Sequence, residues 1–304
     1  MRVFVTGASG WIGSAVVPEL LEAGHEVVGL ARSDASAAAV AEAGAEVVRG
    51  SLDDLEVLRS AAAGSDGVVH LAFQHDVAFS GNFPAAAAAD RRALDVLGEA
   101  LAGSGRPLVI ASGLAGHASG VLVTEKDQAS PASPASERAL TEAMVIALAA
   151  DGVRSASVRL APTVHGDGDH GFLAVLVRLA REKGVSAYVG AGTNQWPAVH
   201  RFDAARLFRL ALESAAPGTV LHAAAEEGVP MHEIATAIGA GLDVPVASIA
   251  PEDAAAHFGW FAPFLMIDVR ASSDLTRDLL GWQPTGPGLI EDLQQGHYVR
   301  SPAG

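Results

Sequence analysis

The sequence predicts an α/β protein built on a doubly wound parallel sheet, with a smaller C-terminal lobe. Three observations carry this expectation. Short apolar runs without polar alternation recur through the first 160 residues, as strands buried on both faces require. Segments with helical apolar spacing separate these runs, the order that yields parallel strands joined by right-handed crossovers. Directly after the first run stand Gly7, Gly10 and Gly13, and a helical pattern begins as they end.

Taken in order, the first strand is read around Val3, Phe4 and Val5. Residues 11–23 follow with Ile12, Val16, Leu20 and Leu21 on one helical face and stop at Gly24. Residues 25–31 read as the second strand, 36–43 as an alanine-rich helix and 46–48 as the third strand. Asp53 or Asp54 offers a cap to a helix starting near Leu55. The fourth strand is read at 67–72. A long helix covers 84–102, with Pro84 in its first turn and Gly103 past its end. Strand five (107–112), a Gly- and Ser-rich loop (113–130), a helix (135–150) and strand six (155–159) follow. Beyond Leu160 the rhythm loosens. The runs 165–170 and 190–197 read as loops, 199–213 as a return to the core, and 219–222 as one more strand. From about Glu226 come short helices and a strand at 244–249. The expected division is a core of 1–160 completed by 199–223, with a lobe from 161–198 and 224–304.

The composition narrows what the chain binds. Acidic residues outnumber basic ones 35 to 20, giving a net charge of −15, and such a surface repels nucleic acid and anionic membrane. No apolar run reaches the ~20 residues that span a bilayer. The N-terminus enters the first strand at once, unlike a signal peptide. There are no cysteines, so neither disulfides nor thiolate chemistry is available, and the reducing cytoplasm is the expected compartment.

Each glycine of the Gly-x-x-Gly-x-x-Gly run has a physical reason. Gly7 permits a tight turn, Gly10 a close approach of main chain to a pyrophosphate, and Gly13 close packing of the new helix on the strand. The pyrophosphate would rest on free N–H groups at the helix N-terminus. This is the pattern of a dinucleotide-binding Rossmann fold, with Gly7, Ala8, Ser9, Gly10, Trp11, Ile12 and Gly13 as the expected cradle. After strand two, where an acidic residue would meet a ribose 2′-hydroxyl, stand Arg32 and Ser33. A guanidinium and a hydroxyl suit a 2′-phosphate, so NADP(H) is expected over NAD(H), with Asp34 close enough to oppose it.

At this point the chain resembles the extended short-chain dehydrogenase/reductases, the NAD-dependent epimerase/dehydratase family. The resemblance rests on Val5-Thr-Gly-Ala-Ser-Gly-Trp-Ile-Gly13, Val69-His-Leu-Ala72, Leu108-Val-Ile-Ala-Ser112, Val158-Arg-Leu-Ala-Pro162 and Val199-His-Arg-Phe-Asp203. It implies that Asp53 meets the adenine, that Leu71, Ala72 and Pro162 line the cofactor, and that a Tyr-x-x-x-Lys pair on the 135–150 helix does the acid–base work. With Glu142 as the anchor, the lysine position is Arg138 and the tyrosine position is Pro134. The chain's only tyrosines are Tyr188 and Tyr298. The usual pair is therefore missing. Arg138 remains suited to a ribose or phosphate, and its pKa is too high for it to shuttle protons.

A replacement proton donor is expected after a strand end. The candidates are His75 and Asp76, Ser112 and His117, then His165, Asp167 and His170, with Tyr188 before a later loop; of these Ser112, His75 and His165 join Arg138 as the catalytic set. His70, inside strand four, reads as a packed core histidine. The run His165-Gly-Asp-Gly-Asp-His170 invites a metal, but its glycines and spacing do not match a ligand motif, and none is expected. Trp196, Trp260, Phe261 and Phe264 form either a wall of an apolar cleft or the core of the lobe. The 84–102 and 135–150 helices are an expected homodimer face, by resemblance.

Three functions follow. The first is an NADP(H)-dependent oxidoreductase acting on a small carbonyl, alcohol or conjugated alkene with a non-standard proton donor. The second is a catalytically silent NADP-binding sensor or scaffold. The third is a nucleotide-sugar epimerase or dehydratase, which needs the tyrosine most.

Overall fold

In the computed structural model, which describes residues 1–117, 120–129 and 136–300, strands and helices alternate from the start. The first strands are β1 (Arg2–Thr6), β2 (Glu26–Ala31), β3 (Glu46–Arg49), β4 (Gly67–His70) and β5 (Pro107–Gly113). Between them run α1 (Gly13–Glu22), α2 (Asp34–Glu42), α3 (Leu55–Ala63), the single turn α4 (His75–Val77) and α5 (Phe83–Leu101). Then come β6 (Leu122–Val123), α6 (Ser136–Ala147), β7 (Arg154–Leu160), β8 (Thr163–His165), α7 (Phe172–Lys183), β9 (Ser186–Val189) and β10 (Gln195–His200). The remainder holds α8 (Arg201–Ser214), β11 (Thr219–Ala223), β12 (Glu226–Pro230), α9 (Met231–Leu242), β13 (Val246–Ile249), β14 (Arg270–Ala271) and a final helix, Leu289–Gln294.

Seven parallel strands form the central sheet in the order β11-β7-β5-β4-β1-β2-β3. The chain leaves β1 toward β2 and β3, then crosses back to β4, so the order reverses between β1 and β4. Ligands of doubly wound sheets bind outside the strand C-termini at such a point. Val3, Val5, Val69, Val109 and Val158 face α1 and α8, where Leu20, Leu207, Phe208 and Leu212 cover them. Phe4, Val68, Leu108 and Ile110 face the other side, under Leu58, Leu94, Leu97 and Leu101. Burial on both faces is why these strands lack polar alternation.

A second, separate core gathers Leu173, Leu176, Trp196, Ile234, Ile238, Phe258, Phe261 and Leu289 in the lobe. No helix among the described residues is long and apolar enough to cross a membrane.

Several local expectations need correction. The 113–130 stretch is not all loop: β6 pairs with β14, and Leu114, Val123, Val269 and Ala271 share a small core. The 190–197 stretch ends in β10, whose Trp196 and Ala198 are fully buried. Strand four stops at His70, before the expected Leu71 and Ala72. Asp54 stands at the N-cap of α3, but its carboxylate accepts instead from the Ser51 N–H (2.7 Å) and hydroxyl (2.8 Å). The helix expected from 135 runs from Ser136 among the described residues and passes into a 3₁₀ turn, Leu148–Asp151. Pro134 lies outside the described residues.

Candidate cofactor and catalytic cleft

The glycine turn lies at the reversal point. Gly7 has φ +67°, and a Cβ there would stand 2.8 Å from the Ala72 nitrogen. A Cβ on Gly13 would stand 2.0 Å from the Gly7 carbonyl oxygen, so α1 sits hard against the turn. The Gly10 N–H donates to the Gly7 carbonyl (2.9 Å), while among the described residues the Trp11 and Ile12 N–H groups find no backbone acceptor. Exposed Ser9 and Gly10, with these open N–H groups at the start of α1, make a cradle that fits a dinucleotide pyrophosphate. Ala8 is buried and packs toward Gly29, so it supports the turn from below.

The Trp11 side chain reaches away from the turn. Its Nε1–H donates to the Val164 carbonyl on β8 (2.8 Å), the Arg201 guanidinium covers its ring at 4.2 Å, and His170 meets it edge-on at 5.8 Å. Arg201 also donates to Ser14 Oγ and the Asp167 carbonyl, both at 3.2 Å. Trp11 thus ties the glycine turn to the lobe.

On the adenosine side, Arg32 projects from the end of β2 and meets Asp76 at 3.4 Å, both side chains 67% exposed. Asp34 is turned to Arg49 (2.8 Å), which also donates to the Ser33 carbonyl (2.6 Å). The Ser33 hydroxyl caps α2 by accepting from the Ser36 N–H (3.1 Å). Asp53 accepts from Gln74 Nε2 (3.3 Å), so it stands beside the tip of the β4 loop. Leu71 and Ala72 follow β4 directly, and their N–H groups donate to Thr6 Oγ1, each at 3.2 Å.

On the opposite side, Arg138 from α6 donates to the Ala111 carbonyl at the end of β5 (2.5 Å) and lies over the Phe73 ring at 4.4 Å. Burial pushes its pKa down, and the charges of Asp90 and Glu142 oppose that. His75 packs edge-on against Phe73 at 5.1 Å. Although its ring keeps a solvent-facing side, the walls around it hold its pKa below the ordinary imidazole value, and Arg138 adds to this. His170 also acts on it electrostatically. Phe73, just past β4, therefore packs against both Arg138 and His75. Ser112 is buried at the end of β5, in register with Arg159, and Gly113 beyond it faces open space. Pro162 sits between β7 and β8.

The structure separates His165 from this group. Its ring is 1% exposed and bonds Asp292 through Nδ1 (2.8 Å). Neither tyrosine replaces the missing one. The Tyr298 hydroxyl donates to Asp169 (2.8 Å) and accepts from the Gly166 N–H (3.1 Å), closing the 166–171 loop, and burial pushes its pKa up. Tyr188, on β9, packs against His232 of α9. Trp196 and Phe261 belong to the lobe core. Phe264 contacts Phe172 at 4.9 Å, and Trp260 is largely exposed beside it.

Behind Ser112 lies a buried polar cluster that the sequence reading missed. Arg159 forks onto Glu142 (2.7 and 3.0 Å), donates to the Asp127 carbonyl (2.7 Å), and contacts His222 Nε2 (3.3 Å). Burial acts to raise the Glu142 pKa, and bonds from Arg159 and Ser157 outweigh it and hold the carboxyl below its ordinary range. His222 donates through Nδ1 to the Ser272 carbonyl (2.8 Å), and burial lowers its pKa to about 4. An unfolded histidine takes up its proton near 6.5, so between that pH and 4 the unfolded chain binds more protons than the folded one. Stability is therefore expected to fall as pH drops through this window. Urea midpoints measured across it check this, and His222→Gln should flatten the slope. An unchanged slope in the variant would remove His222 as the cause.

The profile of the NAD dependent epimerase/dehydratase family matches residues 3–224. An uncharacterized protein of Schizosaccharomyces pombe is 48% identical over 299 residues, covering 98% of this chain and 100% of the relative. Another, from Saccharomyces cerevisiae, is 45% identical over 301 residues with 98% and 100% covered. DesIV, a dTDP-glucose 4,6-dehydratase from Streptomyces venezuelae solved with NAD bound, has the same fold. Its TM-score is 0.79 at 22% identity, with 98% of this chain and 96% of that one covered. The glycine cradle, the seven-stranded sheet and these likenesses lead to one statement: this chain belongs to the NAD-dependent epimerase/dehydratase family.

Proposed function

We propose that the protein is an NADP(H)-dependent oxidoreductase acting on a small carbonyl, alcohol or conjugated alkene. What supports this reading is the glycine turn packed on Leu71 and Ala72, with Arg138 and His75 both against Phe73, the next residue of the same loop. When bound, the nicotinamide supplies or accepts hydride. Arg138, charged and held against Ala111 and Phe73, orients a ribose or an acceptor oxygen. His75, with its lowered pKa, is neutral near pH 7, takes a proton from an alcohol in the oxidising direction and returns it in reduction. Ser112 stands ready to orient the same oxygen. The half-exposed aromatic side of the lobe, Phe172, Phe264 and Trp260, favours an apolar substrate.

Preference for the 2′-phosphate rests on Arg32. Its pairing with Asp76 is long and exposed, so it contributes little. A doubly charged phosphate competes well for the same guanidinium. Arg49 pairs with Asp34 at 2.8 Å and offsets part of the repulsion that this exposed carboxylate would exert on the phosphate. Solved relatives such as DesIV hold NAD, so Arg32 is what points this chain the other way.

Fluorescence titration with NADPH and NADH tests the assignment. Arg32→Asp is expected to weaken NADPH about tenfold or more relative to NADH, the size of a charge-assisted bond. A variant that keeps the wild-type preference contradicts the role of Arg32.

A second reading, a silent NADP-binding sensor, is favoured by the absence of any tyrosine beside Arg138. It predicts binding without consumption of NADPH across quinones, enones and aldehydes. The same absence weighs against a nucleotide-sugar epimerase or dehydratase.

A further inference from the structure

Asp90 lies on the buried face of α5, 3% exposed, among Ala86, Ala87, Ala93 and Leu94. A carboxylate there needs partners, and two stand beside it among the described residues. Its Oδ1 lies 2.9 Å from His70 Nε2, and its Oδ2 faces Arg138 Nη1 at 3.9 Å, a charge contact longer than a hydrogen bond. His70 is also buried, and its Nδ1 lies 3.0 Å from Thr6 Oγ1. One tautomer satisfies every member. His70 donates through Nε2 to Asp90 and accepts at Nδ1 from the Thr6 hydroxyl, whose oxygen accepts from the Leu71 and Ala72 N–H groups.

We propose that Asp90 and His70 are positioning residues for Arg138, forming a buried chain that fixes its guanidinium and couples it to the glycine turn through Thr6. The inference rests on the functional reading of Arg138 given above. The guanidinium is held on three sides: by the Ala111 carbonyl, by the Phe73 ring and by the Asp90 charge. The first two set its plane. Asp90 balances its charge at a depth where Glu142, engaged by Arg159, is already committed. The other end of the chain closes on Thr6 and the two N–H groups beside Gly7, where a Cβ has no room. Displacement at the cradle therefore reaches Asp90 through hydrogen-bonded atoms, and Arg138 through the charge of Asp90.

The test is a double-variant cycle on Asp90→Asn and Arg138→Gln. Asparagine keeps an acceptor for His70 and removes only the charge. With NADPH and menadione as the probe pair, kcat is expected to fall about 30-fold in Asp90→Asn, the rate equivalent of about 2 kcal/mol. NADPH affinity should move much less, because the adenosine half is untouched. The double variant should be no slower than Arg138→Gln alone. It should also melt above Asp90→Asn, since the uncompensated cation is gone. A kcat near wild type in Asp90→Asn, or single effects that multiply in the double variant, overturns the proposal. The melting cycle needs no substrate. If the wild type does not oxidise NADPH, the functional reading fails, while additive melting shifts separately refute the Asp90–Arg138 coupling.

Discussion

Gly13→Ala is expected to abolish nicotinamide binding and to destabilise the fold. The added methyl would stand 2.0 Å from the Gly7 carbonyl oxygen and 2.8 Å from the Ala8 carbonyl carbon and Cα. These are main-chain atoms, which cannot turn aside as a side chain can. Either α1 or the turn must move, and overpacking of this kind costs about 1–3 kcal/mol. Movement in either direction withdraws the open N–H groups that receive the pyrophosphate. Gly113→Ser is the natural control, because a Cβ there meets nothing within 4 Å. Fluorescence titration of NADPH, with urea unfolding in parallel, separates lost binding from lost stability. Wild-type affinity in Gly13→Ala would mean that the cofactor does not use this turn.

The second large effect is expected from Arg159→Met. The Arg159 and Glu142 side chains are only 4% and 7% exposed, so the variant strands a buried carboxylate. Breaking a buried pair on one side costs about 3–5 kcal/mol. Whole domains are stable by only about 5–15 kcal/mol, so the variant should lie near its unfolding threshold at physiological temperature. Replacing both residues, as in Glu142→Leu with Arg159→Met, should recover much of the loss, because no uncompensated charge remains. Chemical denaturation of the two singles and the double measures this directly. A single variant that loses less than about 1 kcal/mol, as an exposed pair would, contradicts the burial and charge argument.

Much of the fold was legible because its signals are local. Gly7, Gly10 and Gly13 sit between a strand pattern and a helix pattern, and each spacing has a steric reason the structure repeats. Pro84 and Gly103 bracket α5 within a residue or two. Elements that depend on distant partners were not legible. Leu122 and Val123 form a strand only because Arg270 and Ala271 lie beside them. The start of β10 was hidden by Gln195 and Pro197, residues that read as loop in isolation.

The candidate site divides the same way. Arg138 was reachable by counting along a helix, and His75 by its place after a strand. The Trp11–Val164–Arg201 contact was not, since it joins residues more than 150 positions apart. Asp90 did carry a local signal: an acid at the centre of an alanine and leucine stripe, where only a paired charge is tolerated. The two histidines of the strand ends show the limit of position alone. His75, on the α4 turn, packs against Phe73, whereas His165, at the end of β8, is buried against Asp292.

Transfer of a labelled hydride tests the central claim most directly. NADPH deuterated at both nicotinamide C4 positions, incubated with the protein and a panel of enones and small aldehydes, should yield at least one reduced product carrying deuterium at carbon. That product should be absent from reactions with Gly13→Ala. Tight NADPH binding with no deuterated product from any acceptor would contradict the proposed reduction of a small carbonyl or conjugated alkene.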